Sequence, residues 1–196
     1  VGPGGLSARP RGEAIVSEGR TFVRRTARSF GVILMGFVDS WAAVASGGLS
    51  LSENHLYTVE AFRDYLDQLT PDGQLLILRW DVDAPRLVSN AVALLGVEEA
   101  GKRVAVLLET REGDREDPPQ MIFMLKKRPW TEDETARMAA WPGVQPVIVP
   151  GRHVDEPYAS LFAGRTSFAD YVAQAKTRVD PVFDDRPFFF ARAKPW

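Results

Sequence analysis

The chain has 196 residues, a formal net charge of -2, 45% hydrophobic and 26% charged residues. This is globular composition for one domain, or one domain with a small appendage, and it carries no excess of basic residues to mark a nucleic-acid binder. The absence of cysteine excludes disulfides, zinc–thiolate sites and thiol nucleophiles, and two histidines, His55 and His153, make no multi-histidine metal site.

No apolar run is long enough to span a bilayer, and no signal peptide is visible. A cytoplasmic setting is expected. The chain opens on Val1-Gly2-Pro3-Gly4-Gly5, which reads as cut from something longer.

In chain order, Glu13 to Ser17 is predicted as a short strand and Arg20 to Ala27 as one or two helical turns, with Phe22 and Val23 inward. Gly31 to Phe37 (GVILMGF) is a continuous apolar run, suited to a strand buried on both faces. Ser40 to Asn54 is loop-like. Leu56 to Leu69 is the clearest helix, with Tyr57, Ala61, Tyr65 and Leu69 spaced four apart and Asn54 a plausible cap. Thr70-Pro71-Asp72-Gly73 stops it, and Gln74 to Trp80 is a second buried strand. A further helix runs from Ala84 to Leu95, with Pro85 in its first turn.

Lys102 to Glu109 and Gln120 to Lys127 then form an antiparallel hairpin. Thr131 to Trp141 is a helix that Thr131 and Glu134 open with a capping box. Val147 to Val149 is a short strand. Tyr158 to Ala163 and Ser167 to Lys176 are short helices, and Asp184 to Phe190 (DDRPFFF) is unusual in composition. Alternating strands and helices imply an α/β fold with parallel pairing, whose ligands bind at the carboxyl ends of the strands. That rule points to Glu18-Gly19, to Gly36 through Ser40, and to Arg79 through Asp83.

Three stretches together resemble the spermidine-synthase-like proteins. They are Glu18-Gly19-Arg20-Thr21-Phe22, Val38-Asp39-Ser40-Trp41-Ala42-Ala43, and Leu51 through Phe62 (LSENHLYTVEAF). Leu69 to Gly73 before a strand ending Arg79-Trp80, and the terminal DDRPFFF, extend the likeness. The resemblance implies an incomplete S-adenosylmethionine-type Rossmann sheet, mostly parallel with a C-terminal antiparallel hairpin. A partial Rossmann-like transferase domain would span 1–130, with its first βαβ unit largely missing, and a helical extension, 131–196, would pack on it. The implied cofactor is S-adenosylmethionine or its decarboxylated form, and the implied activity is methyl or aminopropyl transfer to an amine or other small nucleophile, a polyamine among the candidates.

Residue by residue, the resemblance gives Glu18 a hydrogen bond to the adenine amino group and gives Gly19 close approach of the cofactor. Asp39 becomes the residue that orients or deprotonates the nucleophile, with Ser40 beside it in the cofactor pocket. Gly2 and Gly4 become a remnant of the glycine-rich loop. The chain also departs from the family. Only Leu6 to Gly12 separates Gly5 from the strand region, too few residues for a crossover of at least about 10. Gly31 stands where the family carries Asp, and Gly36 falls on the register position of its catalytic Asp. These departures keep open a second reading, a non-catalytic or truncated module that has lost cofactor binding.

Plainer roles compete at several positions. Glu18 could cap the helical turn that follows it, and Tyr57 and Trp41 could be packing residues. His55 is expected at the surface or in a cap, Asp81 and Asp83 in a solvated loop, and His153 with Asp155 and Glu156 in no proper metal site. A second copy could cover the unfinished sheet edge. In many relatives a membrane anchor adjoins the terminal motif, which would make this chain the soluble part of a tethered protein.

Overall fold

The computed structural model describes residues 12–37, 54–110 and 118–194. Helix α1 (Gly19–Arg25) leads into β1 (Phe30–Gly36). A 3-10 turn (His55–Tyr57) and α2 (Val59–Gln68) precede β2 (Leu69–Trp80), and a second 3-10 turn (Asp81–Asp83) leads into α3 (Ala84–Leu95) and α4 (Val97–Arg103). The hairpin is β3 (Val104–Glu109) and β4 (Gln120–Lys126). Then come α5 (Glu132–Ala139), β5 (Val144–Val149), β6 (His153–Val154), α6 (Tyr158–Phe162) and α7 (Phe168–Gln174).

Six strands form one sheet in the order β1-β2-β4-β3-β5-β6. β1 and β2 are parallel, with Ile33 opposite Leu75 and Met35 opposite Ile77. The other four pairings, β2–β4, β4–β3, β3–β5 and β5–β6, are antiparallel. The α/β class and the antiparallel hairpin are as expected. The balance of strand directions is not, since only one described pairing is parallel. Two causes are visible. The Glu13–Ser17 segment is not a strand, and Val16 there is fully solvated. The region expected as a helical extension with one short strand at Val147 to Val149 adds two strands, β5 and β6, to the hairpin side of the sheet, alongside α5, α6 and α7.

Strand β2 shows why the helices sit where they do. Leu75, Ile77 and Arg79 are buried, while Gln74, Leu76, Leu78 and Trp80 between them are half-buried. This is the period-2 alternation of a strand with two unequal faces. The better-covered face meets Phe62 and Tyr65 of α2, Leu87, Val88 and Ala91 of α3, and Phe123 and Leu125 of β4 in the main core. The other face holds a smaller cluster, Ala105, Leu107, Met124, Val149 and Met138 of α5. β1 was expected to be buried on both faces. It is buried on one, for Met35 is sealed while Val32 and Leu34 point outward with 48% and 60% exposure.

Local chemistry sets the element ends. The helix predicted from Leu56 is divided. Asn54 caps the 3-10 turn by accepting from Leu56 N at 3.0 Å, and Thr58, extended at φ -97°, caps α2 by accepting from Ala61 N at 3.1 Å. A threonine hydroxyl that bonds backbone ahead of it favours such a break. Gly73 is needed for close approach, since a Cβ there would lie 2.8 Å from the Phe30 carbonyl oxygen. Gly96 ends α3 at φ 81°, a conformation that disfavours side chains, and permits the unexpected α4 to start at once. The predicted capping box is present: Thr131 Oγ1 accepts from Glu134 N at 3.3 Å and Glu134 Oε2 accepts from Thr131 N at 2.9 Å.

Candidate functional site

The carboxyl ends of the parallel pair, at Gly36-Phe37 and Trp80, open onto a rim built from α1, the 3-10 turn at His55–Tyr57 and the C-terminal segment. Two arginines organise this rim. Arg20, on α1, is buried. Its Nε donates to Asp64 Oδ2 at 2.7 Å, and Nη1 and Nη2 donate to the two oxygens of Asp184 at 2.7 and 2.8 Å. Nη1 also donates to the His55 carbonyl at 2.9 Å. The Thr58 hydroxyl donates to Asp184 Oδ1 at 2.7 Å, and Glu60 Oε2 accepts from Asp184 N at 3.1 Å. The paired fork of guanidinium and carboxylate is the strong form of this contact.

The electrostatics follow from that geometry. The Arg20 guanidinium holds the Asp184 carboxyl at about 2, against an opposing effect of burial and with help from Thr58. Asp184 in turn raises the Arg20 value above its ordinary one, burial opposes this, and Asp64 adds to it. His55 lies half-exposed with Nδ1 3.7 Å from Asp184 Oδ1.

Arg79, near the carboxyl end of β2, is the second centre. It and Asp83 are both 2% exposed, and its Nε donates to Asp83 Oδ2 at 3.1 Å. Arg192 Nη2 donates to the other oxygen of Asp83 at 2.6 Å. The Arg79 guanidinium lies 4.8 Å from the Phe190 ring centre, 5.6 Å from Tyr57 and 6.0 Å from Phe37. Tyr57 meets Phe189 at 4.7 Å, and Phe37 meets Trp80 edge-on at 4.9 Å. Asp83 therefore corrects an expectation: it is the buried partner of two arginines, not a solvated loop residue. Asp81, half-exposed, accepts from Val82 N at 2.7 Å.

The terminal DDRPFFF motif joins both centres. Asp184 pairs with Arg20, Phe190 covers Arg79, and Phe189 and Phe190 enter the core. Arg86, on α3, holds the same segment by donating from Nη1 to the carbonyls of Phe188, Phe189 and Ala191 at 3.0, 2.6 and 2.9 Å. Asn90 adds a clip, accepting from Val182 N at 2.8 Å and donating to the Tyr57 carbonyl at 2.7 Å.

Glu18 stands at the outer end of this assembly. Its Oε1 accepts from Arg20 N at 2.9 Å and its Oε2 from Thr21 N at 2.6 Å, so the carboxylate caps α1. Partial burial pushes its pKa up. The hydrogen bonds from Thr21 and Arg20 and the Arg20 charge outweigh that and bring it below the ordinary value. Each carboxylate oxygen has two acceptor directions, so capping leaves capacity on both. Gly19 next to it has open space where a Cβ would stand, so packing does not demand glycine there.

Of the other sequence-predicted site residues, Gly2, Gly4, Asp39 and Ser40 lie outside the described residues. Tyr57 is a core residue, fully buried. His153 Nε2 lies 2.9 Å from Asp155 Oδ1, and among the described residues no group of three or more His, Asp or Glu side chains could hold a metal. No described helix is long and apolar enough to cross a membrane. The strand-end rule pointed to Arg79 through Asp83, and Arg20 lay in the Glu18–Phe22 motif, but the buried ion pairs that these residues make were not expected. The available signal was the pairing of DDRPFFF, a charged and aromatic motif, with isolated arginines at strand and helix ends.

The fold and rim define an α/β protein with a two-stranded parallel unit, an antiparallel extension and a polar, carboxylate-bearing site at the parallel strand ends. No protein-family model and no curated protein matches the chain. Among solved structures it is similar to a probable spermidine synthase from Corynebacterium glutamicum, at 17% identity and a TM-score of 0.47, covering 76% of this chain and 50% of that one. It is also similar to an rRNA methylase from Streptococcus thermophilus, at 13% identity and a TM-score of 0.34, covering 57% of this chain and 55% of that one. The chain thus spans about half the length of each of these two proteins.

Proposed function

We propose that this chain is the catalytic-side part of a transferase that uses S-adenosylmethionine or its decarboxylated form to alkylate a small nucleophile, an amine or polyamine being the favoured acceptor. The observation that carries the reading is Glu18-Gly19: a carboxylate with acceptor capacity left over, beside a glycine whose outer side is open. In this reading Glu18 accepts from the adenine amino group and Gly19 lets the ring approach the backbone. Arg20 keeps α1 and therefore Glu18 in place through Asp64 and Asp184.

When bound, the cofactor supplies an electrophilic carbon next to a sulfonium. The chain's own part is to align the nucleophile and take its proton, the role proposed for Asp39 with Ser40 beside it. Alignment accounts for most of the acceleration such a site can provide. The family resemblance also suggests a membrane tether in a longer protein.

A second reading is a binding module without catalysis. It is favoured by Gly36, which stands at the register position where the family carries its catalytic Asp. Calorimetric titration with S-adenosylmethionine and with its decarboxylated analogue separates the two. The transferase reading expects binding to at least one, lost in Glu18→Ala and weakened in Gly19→Ala. Absence of heat with both ligands, from a protein shown to be folded, rejects it.

A further inference from the structure

A cavity of about 430 Å³ opens between the first turn of α3, the start of α6 and the chain that leaves α7. That volume lies in the range of small-molecule sites. Its walls come from residues 85–179, and none of them belongs to the Arg20 or the Arg79 centre. Two tyrosines form its inner end. Tyr158, on α6, is 6% exposed and Tyr171, on α7, is 4% exposed, with ring centres 6.2 Å apart. The Tyr171 hydroxyl donates to the Pro85 carbonyl at 3.4 Å. Its one proton is thereby spent, and its oxygen keeps acceptor capacity. The Tyr158 hydroxyl interacts with that of Tyr171, and burial pushes both phenols up, so neither ionises near neutral pH.

We propose that this cavity binds a neutral aromatic molecule that carries an N–H or O–H donor, of the phenol or indole class. The inference does not rest on the transferase reading. The lining supports the choice of ligand in three ways. First, no charge stands at the inner end, where the buried lining residues are Tyr158, Tyr171 and Val179. A charged head brought there loses its water with no counter-charge to replace it. Second, the charged lining residues, Glu156 and Lys176, are exposed and of opposite sign, and Glu156 already accepts from Ser160 Oγ at 2.9 Å and Arg165 Nη2 at 3.3 Å. Third, Pro85, Ala175 and Val179 give a flat body apolar contact. The donor points to the tyrosine oxygens, and the ring rests against these apolar walls.

Indole and 1-methylindole are the test ligands, since the second keeps the ring and lacks the donor. Ligand-detected NMR and calorimetry on the full chain read both affinities. Indole is expected to bind about tenfold tighter than 1-methylindole, the worth of one hydrogen bond. Tyr171→Phe is expected to abolish that preference, and Ala175→Trp, which fills the cavity, to abolish binding of both. Circular dichroism and thermal melting establish that each variant is folded. Failure of the wild-type chain to bind indole up to the solubility limit of the ligand overturns the proposal. So does equal affinity for the two ligands, a preference that survives in Tyr171→Phe, or binding that survives in Ala175→Trp. Should Tyr171→Phe not fold, the ligand comparison and Ala175→Trp decide without it.

Discussion

The two arginine centres use the same ingredients to opposite ends. Arg79 and Asp83 are sealed from water and surrounded by Phe37, Tyr57 and Phe190, so their contribution is inseparable from aromatic packing. Arg20 is also buried, though less fully, and its carboxylates reach solvent, with side-chain exposures of 23% for Asp64 and 38% for Asp184. A sealed pair responds to loss of a partner, because a charge is left in a poor dielectric. A pair open on one side also responds to pH and salt. Both tie the same C-terminal segment to the sheet. One is thus a fixed element of the core, and the other a contact that solution conditions can weaken.

The largest expected effect breaks the sealed centre. Asp83→Ala removes the carboxylate between Arg79 and Arg192 and is expected to cost about 3–5 kcal/mol, read from denaturant unfolding. A cost under about 1 kcal/mol would mean that the aromatic cage alone accommodates Arg79. Phe189→Ala, in the packing layer next to that cage, is expected to cost about 3 kcal/mol by leaving a cavity against Tyr57.

Asp184→Asn tests the open centre and is expected to cost only about 1 kcal/mol, since solvent screens the pair. Its signature is in pH. The Asp184 pKa is depressed from 3.8 to about 2 on folding. Its stabilisation is therefore complete above about pH 4 and is lost as pH falls toward about 2. Melting temperatures measured across that window should fall less steeply in Asp184→Asn than in the parent, and added salt should narrow the difference. Equal slopes would remove Asp184 from the acid response.

The smallest effect is expected at Gly19→Ala, a gain of a few tenths of a kcal/mol from helix propensity with no clash to offset it. This makes it the cleanest probe of ligand approach. If cofactor binding weakens while the melting temperature holds or rises, the loss comes from the open side of Gly19 and not from the fold.

Periodicity and end chemistry made much of the architecture readable in advance. The spacing of Ala61, Tyr65 and Leu69 announced α2, the apolar run at Gly31 announced β1, and the box of Thr131 and Glu134 announced α5. Nothing local announced that β5 and β6 would join the sheet on the hairpin side, because strand partners are chosen across long chain separations. The same holds for the rim. Glu18 stood out through its motif and lies where a helix begins. Arg79 and Asp83 lay in a stretch that the strand-end rule marked, but nothing local showed that they, or Arg20, would be buried.

The residue order by itself determined most element types, the capping box at Thr131 and the α/β class, because those depend on neighbours within one or two turns; the turn expected at Thr70 to Gly73 is instead the start of β2. Only tertiary structure decided which arginines are buried, that one face of β1 stays wet, and that DDRPFFF closes over the parallel strand ends. Burial and ion pairing belong to groups brought together from distant parts of the chain. A carboxylate at 184 acquires its meaning only when a guanidinium from position 20 is folded against it.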